Sequence, residues 1–198
     1  MRSRLILTLL FFFTIGFLFA EGSKEDTNAP FNDHALVAVH RIHLREVVRI
    51  GVPAGNAPFS YQDTKGIWQG YDVYFAHRIA KEILDDRPKY LHFVPVTSEN
   101  WVEQLESDQV DIVLGFSLDP ERGGLAEFAL PYRRAGEALI APAVRKGNGE
   151  LQLWLNDVIN RRIETDFFHK DYEATLRRVY GNTIDPETVI IERGGVHN

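Results

Sequence analysis

The apolar and polar positions of this chain fall into short unbroken apolar runs alternating with longer stretches of helical spacing. "YLHFVPV" (90–96) reads as a strand, and "VVRIGV" (47–52) and "VDIVLG" (110–115) are short apolar runs that do not alternate cleanly. That pattern suits strands buried on both faces of a parallel sheet. After the first run comes a long loop rich in Pro, Gly, Asn and Asp, "PAGNAPFSYQDTKGIWQG" (53–70). In "YDVYFAHRIAKEILDD" (71–86), Val73, Ala76, Ile79, Ala80, Ile83 and Leu84 recur at helical spacing and make one apolar face. Asp72 suits the positive end of that helix, and Pro88 predicts its stop. Thr97 and Ser98 are N-cap residue types ahead of a second helix, "ENWVEQLES" (99–107). The order strand, loop, helix, strand, helix, strand predicts an α/β fold: a three-layer α/β/α lobe on a mostly parallel sheet.

The second half changes character. "EALIAPAVRKGNG" reads as a strand-like run ending in a turn. In "ELQLWLNDVINRRIE", Leu151, Trp154, Leu155, Val158 and Ile159 share a helical face, and Trp154 reads as core. "DYEATLRRVYG" is a further helix closed by Gly181. The stretch 182–198 holds one short apolar run and reads as a C-terminal tail.

The first residues differ in kind from the rest. Arg2 and Arg4 precede the uncharged apolar run Leu5 to Phe19, and small residues follow at Ala20 and Gly22. This predicts a signal peptide over 1–22 and a periplasmic location; the alternative is an uncleaved membrane anchor. The run is shorter than the roughly 20 residues that span a bilayer comfortably. Residues 23–46 read as a flexible lead-in, with "ALVAVHRIHLRE" either strand or helix, and 47–181 as one lobe. The chain lacks cysteine, which excludes disulfides and thiolate metal sites. A formal net charge of −6 and the lack of any Lys/Arg run argue against a nucleic-acid partner.

Candidate chemistry is sparse. His34, His40 and His43 sit in the lead-in without other clustered ligands, so no metal and no cofactor is expected. No Ser/His/Asp set is apparent; His77 and His92 fall on a helix and a strand, and no enzyme is expected. Ligands of open α/β sheets sit beyond the carboxyl ends of the strands. That points to the loop 53–66 and to 115–122, where "SLDPERGGLAEFALPY" (117–132) carries Arg122. Arg122 has two readings: a planar fork for a carboxylate, or a surface partner of Asp119 or Glu121. Asp111 lies inside the third strand and would cap a nearby loop.

These pieces together resemble the family 3 extracellular solute-binding proteins, the polar amino-acid receptors of ABC importers, over about 47 to 181. The resemblance rests on the first strand, "PF" in the first loop, "GIWQGYDV", a strand with "DIV", then "SLDPER" and "FALPY". It implies a periplasmic-binding-protein fold of type II and a site for a small polar solute such as an amino acid. Arg122 matches the arginine that holds the ligand carboxylate, and Ser117 a residue that assists it. Asn56 falls where an aromatic often stacks on the ligand; Phe59, Tyr61 and Trp68 lie nearby, with Phe59 also readable as core. Asp72 is implied as a cap rather than a ligand group. Asp119 and Pro53 depart from the family pattern.

The family has two lobes, the second inserted after the "PY" segment. Here "ALPYRRAGEALIAPAVRKGNG" runs from one crossover straight into the other, which implies lobe one alone. The implied function is weak or partner-dependent solute binding linked to ABC uptake. An ABC permease, a second protomer or another protein is the implied partner at the face lobe two would cover. The alternative is a single-lobe interaction or sensor module without a transport role.

Overall fold

Two βαβ crossovers on opposite sides of one strand organise the molecule. The computed structural model describes residues 36–85, 90–118 and 124–191. Strand β1 (Val48–Pro53) leads through two short strands, β2 (Gly55–Asn56) and β3 (Ser60–Gln62), then β4 (Trp68–Gln69), into helix α2 (Tyr71–Ile83). Then come β5 (Leu91–Val96), α3 (Trp101–Glu106) and β6 (Ile112–Val113). Both β5 and β6 pair parallel to β1, one on each edge. The sheet continues with β10 (Ala143–Arg145), antiparallel to β6, and β7 (Ala126–Phe128), antiparallel to β10. The order is β5-β1-β6-β10-β7, so only β10 runs against the others.

Burial explains the layers. Val48, Ile50 and Val52 of β1 pack into one core with Phe75, Ile79 and Ile83 of α2. Leu151, Leu155 and Ile159 of α4 (Gly149–Glu164) and Phe168 and Tyr172 of α5 (Phe167–Tyr172) complete it. The other face is covered by α3, whose Trp101 and Leu105 meet Val96, Val113, Ala126 and Ala143. On that face Gly51 leaves room: a Cβ there would lie 3.0 Å from Val113 and 3.1 Å from Val96.

Several expectations change at this level. The lead-in is not loose over its last part: Leu36–Arg45 is helix α1, with Ala38 and Ile42 buried. The signal segment and the rest of the lead-in lie outside the described residues, and no helix among the described residues is long and apolar enough to cross a membrane. Helix α2 ends at Ile83, before Pro88, with Asp85 at φ 48°. Thr97 and Ser98 do not cap α3, which starts at Trp101. Instead the Asn100 side chain accepts from the Thr97 N–H at 2.8 Å. The last helix begins earlier than read: α5 passes through a π turn (Glu173–Arg177) into α6 (Arg178–Tyr180), and Gly181 closes it at φ 58°.

Within 182–198, the part read as a tail, Val189, Ile190 and Ile191 are buried, and the Val189 carbonyl accepts from the Arg134 N–H at 2.8 Å. The apolar run there is a piece of the core. Asp111 caps no loop. It takes the guanidinium of Arg45 at 2.6 Å and that of Arg49 at 3.0 Å, and accepts from the Arg49 N–H, tying α1 and β1 to the start of β6.

Candidate functional site

The site is built where β1 and β6 end. Because α2 and α3 return on opposite faces of the sheet, the ends of these two neighbouring strands are a topological switch point, the usual ligand position in open α/β sheets. The loop after β1 folds back as β2 and β3, with Asn56 opposite Ser60. Its Pro58 and Phe59 carbonyls accept from the Tyr71 and Asp72 N–H groups at 3.3 and 2.8 Å. The first orphan donors of α2 are therefore satisfied by the loop. Gly70 makes this approach possible: at φ 118°, a Cβ would lie 2.3 Å from the Phe59 carbonyl oxygen.

With its helix end already served, Asp72 turns inward. It is fully buried and takes Arg133 bidentately, at 2.5 Å from Nε and 2.8 Å from Nη2. The Arg133 guanidinium lies 4.0 Å from the centre of the Phe59 ring. Beside the pair, Tyr132 stacks on Phe75 and accepts from the Gly115 N–H at 3.1 Å. Burial, reinforced by the Asp72 charge, holds the Tyr132 phenol well above its ordinary range. Gly115 has φ 90°, and a Cβ there would meet Pro53 at 2.9 Å and Asp72 at 3.1 Å. The two loops thus touch at Pro53 and Gly115, over a buried ion pair. The position of Asp72 in the sequence suggests a helix cap, and nothing local in the sequence reports that it meets Arg133.

The expected site residues separate. Ser117 is exposed just past β6, bridged to Ile140, while the Leu118 N–H donates to Leu139 at 2.8 Å. Asn56 is half-buried on the neighbouring loop. Arg122 and Asp119 lie outside the described residues. Phe59 is a half-buried wall that carries Arg133. Trp68 packs against Phe93 at 5.5 Å and lines a different cavity, one that includes neither Asn56 nor Ser117. Among the described residues no three His, Asp or Glu side chains converge as a metal site would require.

After Tyr132 the chain forms a hairpin, β8 (Arg133–Ala135) and β9 (Ala138–Ile140), closed by Gly136 and Glu137 alone. This is where the resemblance places a second lobe, and here the two strands join directly.

The model of the bacterial extracellular solute-binding proteins, family 3, matches residues 48–174. The chain belongs to this family. An ABC transporter glutamine-binding protein of Bacillus subtilis is 28% identical over 150 residues, covering 75% of this chain and 54% of that protein. A cyclohexadienyl dehydratase of Pseudomonas aeruginosa is 33% identical over 101 residues, 50% of this chain and 36% of that enzyme. The chain thus spans about half the length, or less, of these relatives. The crystal structure of a cysteine-binding protein from Campylobacter jejuni matches with TM-score 0.72 and 25% identity, over 79% of this chain and 99% of that one. The arginine-bound form of domain 1 from TmArgBP matches with TM-score 0.56 and 27% identity, over 61% of this chain and 97% of that one. The fold is the α/β fold of the periplasmic binding proteins, reduced to one lobe.

Proposed function

We propose that this lobe binds a small polar solute carrying a carboxylate, such as an amino acid, in the half-cleft at the carboxyl ends of β1 and β6. The carrying observation is the meeting of the two loops at Pro53 and Gly115, fixed from below by the Asp72–Arg133 pair. A rigid floor of that kind holds an exposed Ser117 and a neighbouring Asn56 in place for a ligand. Arg122 follows Ser117 by five residues and supplies the cation for the carboxylate. Phe59 acts on the ligand through Arg133 and the loop it braces. The arginine-bound form of a single domain of a relative supports binding by one lobe without the other.

The role is binding rather than turnover: His77 lines a separate cavity and His92 is exposed on β5. Export through the apolar N-terminal segment and delivery to an ABC permease complete the reading, supported by the family and by the glutamine-binding relative. The test is calorimetry with L-glutamine, L-cystine and L-arginine. Saturable binding of at least one, lost in Arg122→Ala and weakened in Ser117→Ala, is expected. Silence across the panel at millimolar ligand, or an unchanged Arg122→Ala, overturns it.

A further inference from the structure

A second concavity lies between the β3–β4 hairpin, α2 and the π turn. Its volume is about 420 Å³, in the range of small-molecule sites. Four aromatic side chains line it, Tyr61, Trp68, Tyr74 and Tyr180, together with His77 and Arg178. Pro58, Tyr61, Trp68, Gln69 and Gly70 of the first loop line it, but none of residues 53–56 or 115–118 does.

Three features make this a formed site rather than a dent. First, close backbone packing fixes the wall. Gly70 lines the cavity, and the Phe59 carbonyl leaves no room for a side chain there. The π turn, Glu173–Arg177, presents Ala174, Thr175 and Leu176 along one rim. Widened turns of this kind recur at functional sites. Second, the rings are braced before any ligand arrives. Trp68 packs on Phe93 at 5.5 Å, and the Arg78 guanidinium lies 5.0 Å from the Tyr74 ring centre. Bracing of this kind lowers the ordering cost of binding.

Third, the charge is one-sided. No Asp or Glu lines the cavity, although the chain as a whole has a formal charge of −6. Arg178 is its one cation and has no ion-pair partner among the described residues. Burial pulls the His77 imidazole below its ordinary range, so near neutral pH it offers one donor and one acceptor without charge.

We propose that this cavity is a second ligand site, for a flat aromatic carboxylate whose ring lies among Trp68 and the tyrosines and whose carboxylate meets Arg178. An aliphatic amino acid lacks the ring that would fill the aromatic wall, so this site and the half-cleft differ in specificity.

The test is ¹H–¹⁵N NMR with 4-hydroxyphenylacetate as probe and 4-methylphenol as its uncharged counterpart. Saturable shifts of the Trp68 indole N–H and of the amides of 174–180, with those of 115–118 unmoved, are expected. Arg178→Ala weakens 4-hydroxyphenylacetate about fivefold and leaves 4-methylphenol unchanged, as the loss of one exposed charge contact requires. Ala174→Trp, which fills the cavity from its exposed rim, abolishes both, and Ser117→Ala changes neither. Shifts confined to 115–118, no saturation below about 10 mM probe, or an Arg178→Ala protein that binds 4-hydroxyphenylacetate as before would each overturn the proposal. Failure of the half-cleft reading leaves these outcomes untouched, because the two sites are read at different amides.

Discussion

Asp72 and Arg133 lie 61 positions apart in the chain, yet their pairing fixes the floor of the half-cleft. Removing one partner strands the other charge where water cannot reach it. Asp72→Ala is therefore expected to cost about 3–5 kcal/mol, read as a fall in the urea midpoint. Replacing both together, as Asp72→Leu with Arg133→Met, recovers most of that loss, because the desolvation penalty goes with the charges. A double variant as unstable as the single one would show that the pair's hydrogen bonds, not its stranded charge, dominate. Gly115→Ala forces a Cβ into Pro53 and Asp72 at φ 90°. A loss of about 1–3 kcal/mol is expected from the strained backbone alone. Little of this was legible in the sequence. Asp72 at a helix start looks like a partner for the dipole, and only the folded loop, which already serves the first N–H groups of α2, frees it for Arg133.

Elements with enough residues to show a period were legible. The helix over Tyr71–Ile83 and the helix over Gly149–Glu164 declared their apolar faces, and short apolar runs declared β1 and β5. Strands of two or three residues, β2, β3, β4 and β7, are too short to carry a period and were hidden in loop-like composition. The buried run Val189–Ile191 was visible as apolar, but its place beside β8 depends on a contact with Arg134. The β8–β9 hairpin ends in an exposed tip at Gly136 and Glu137. Lengthening an exposed turn costs only loop-closure entropy, which grows slowly with length. Inserting ten Gly/Ser residues between Gly136 and Glu137 is expected to cost about 1–2 kcal/mol and to leave the fold intact by circular dichroism. The same insertion between Gly115 and Phe116 breaks the Tyr132 contact and the packing against Pro53, and is expected to unfold the protein. Equal tolerance at both points would mean that the loop contact is not structural.

At the scale of the whole molecule, the decisive feature is what β8 and β9 do not enclose. A ligand bound as proposed in the half-cleft keeps one side in water, so the proposed ion pair with Arg122 would be screened and contribute at most about 1 kcal/mol. Dissociation constants near 1 mM, about −4 kcal/mol, are therefore expected for an amino acid bound by one copy. Affinity should fall as sodium chloride rises from about 0.05 to 0.5 M, because the Debye length shrinks well below 10 Å. Closure of two lobes about a hinge is not available within a single lobe, so full burial of the ligand would take a partner over the open side. A second copy of this chain that did so would couple ligand affinity to protein concentration through mass action. Titrations at two protein concentrations about tenfold apart separate these cases. One shared millimolar constant means the lobe acts alone. A constant that tightens with protein concentration means two half-clefts close on one another. Micromolar affinity that ignores both salt and protein concentration would mean that the described loops bury the ligand by themselves, and the half-cleft picture would fail.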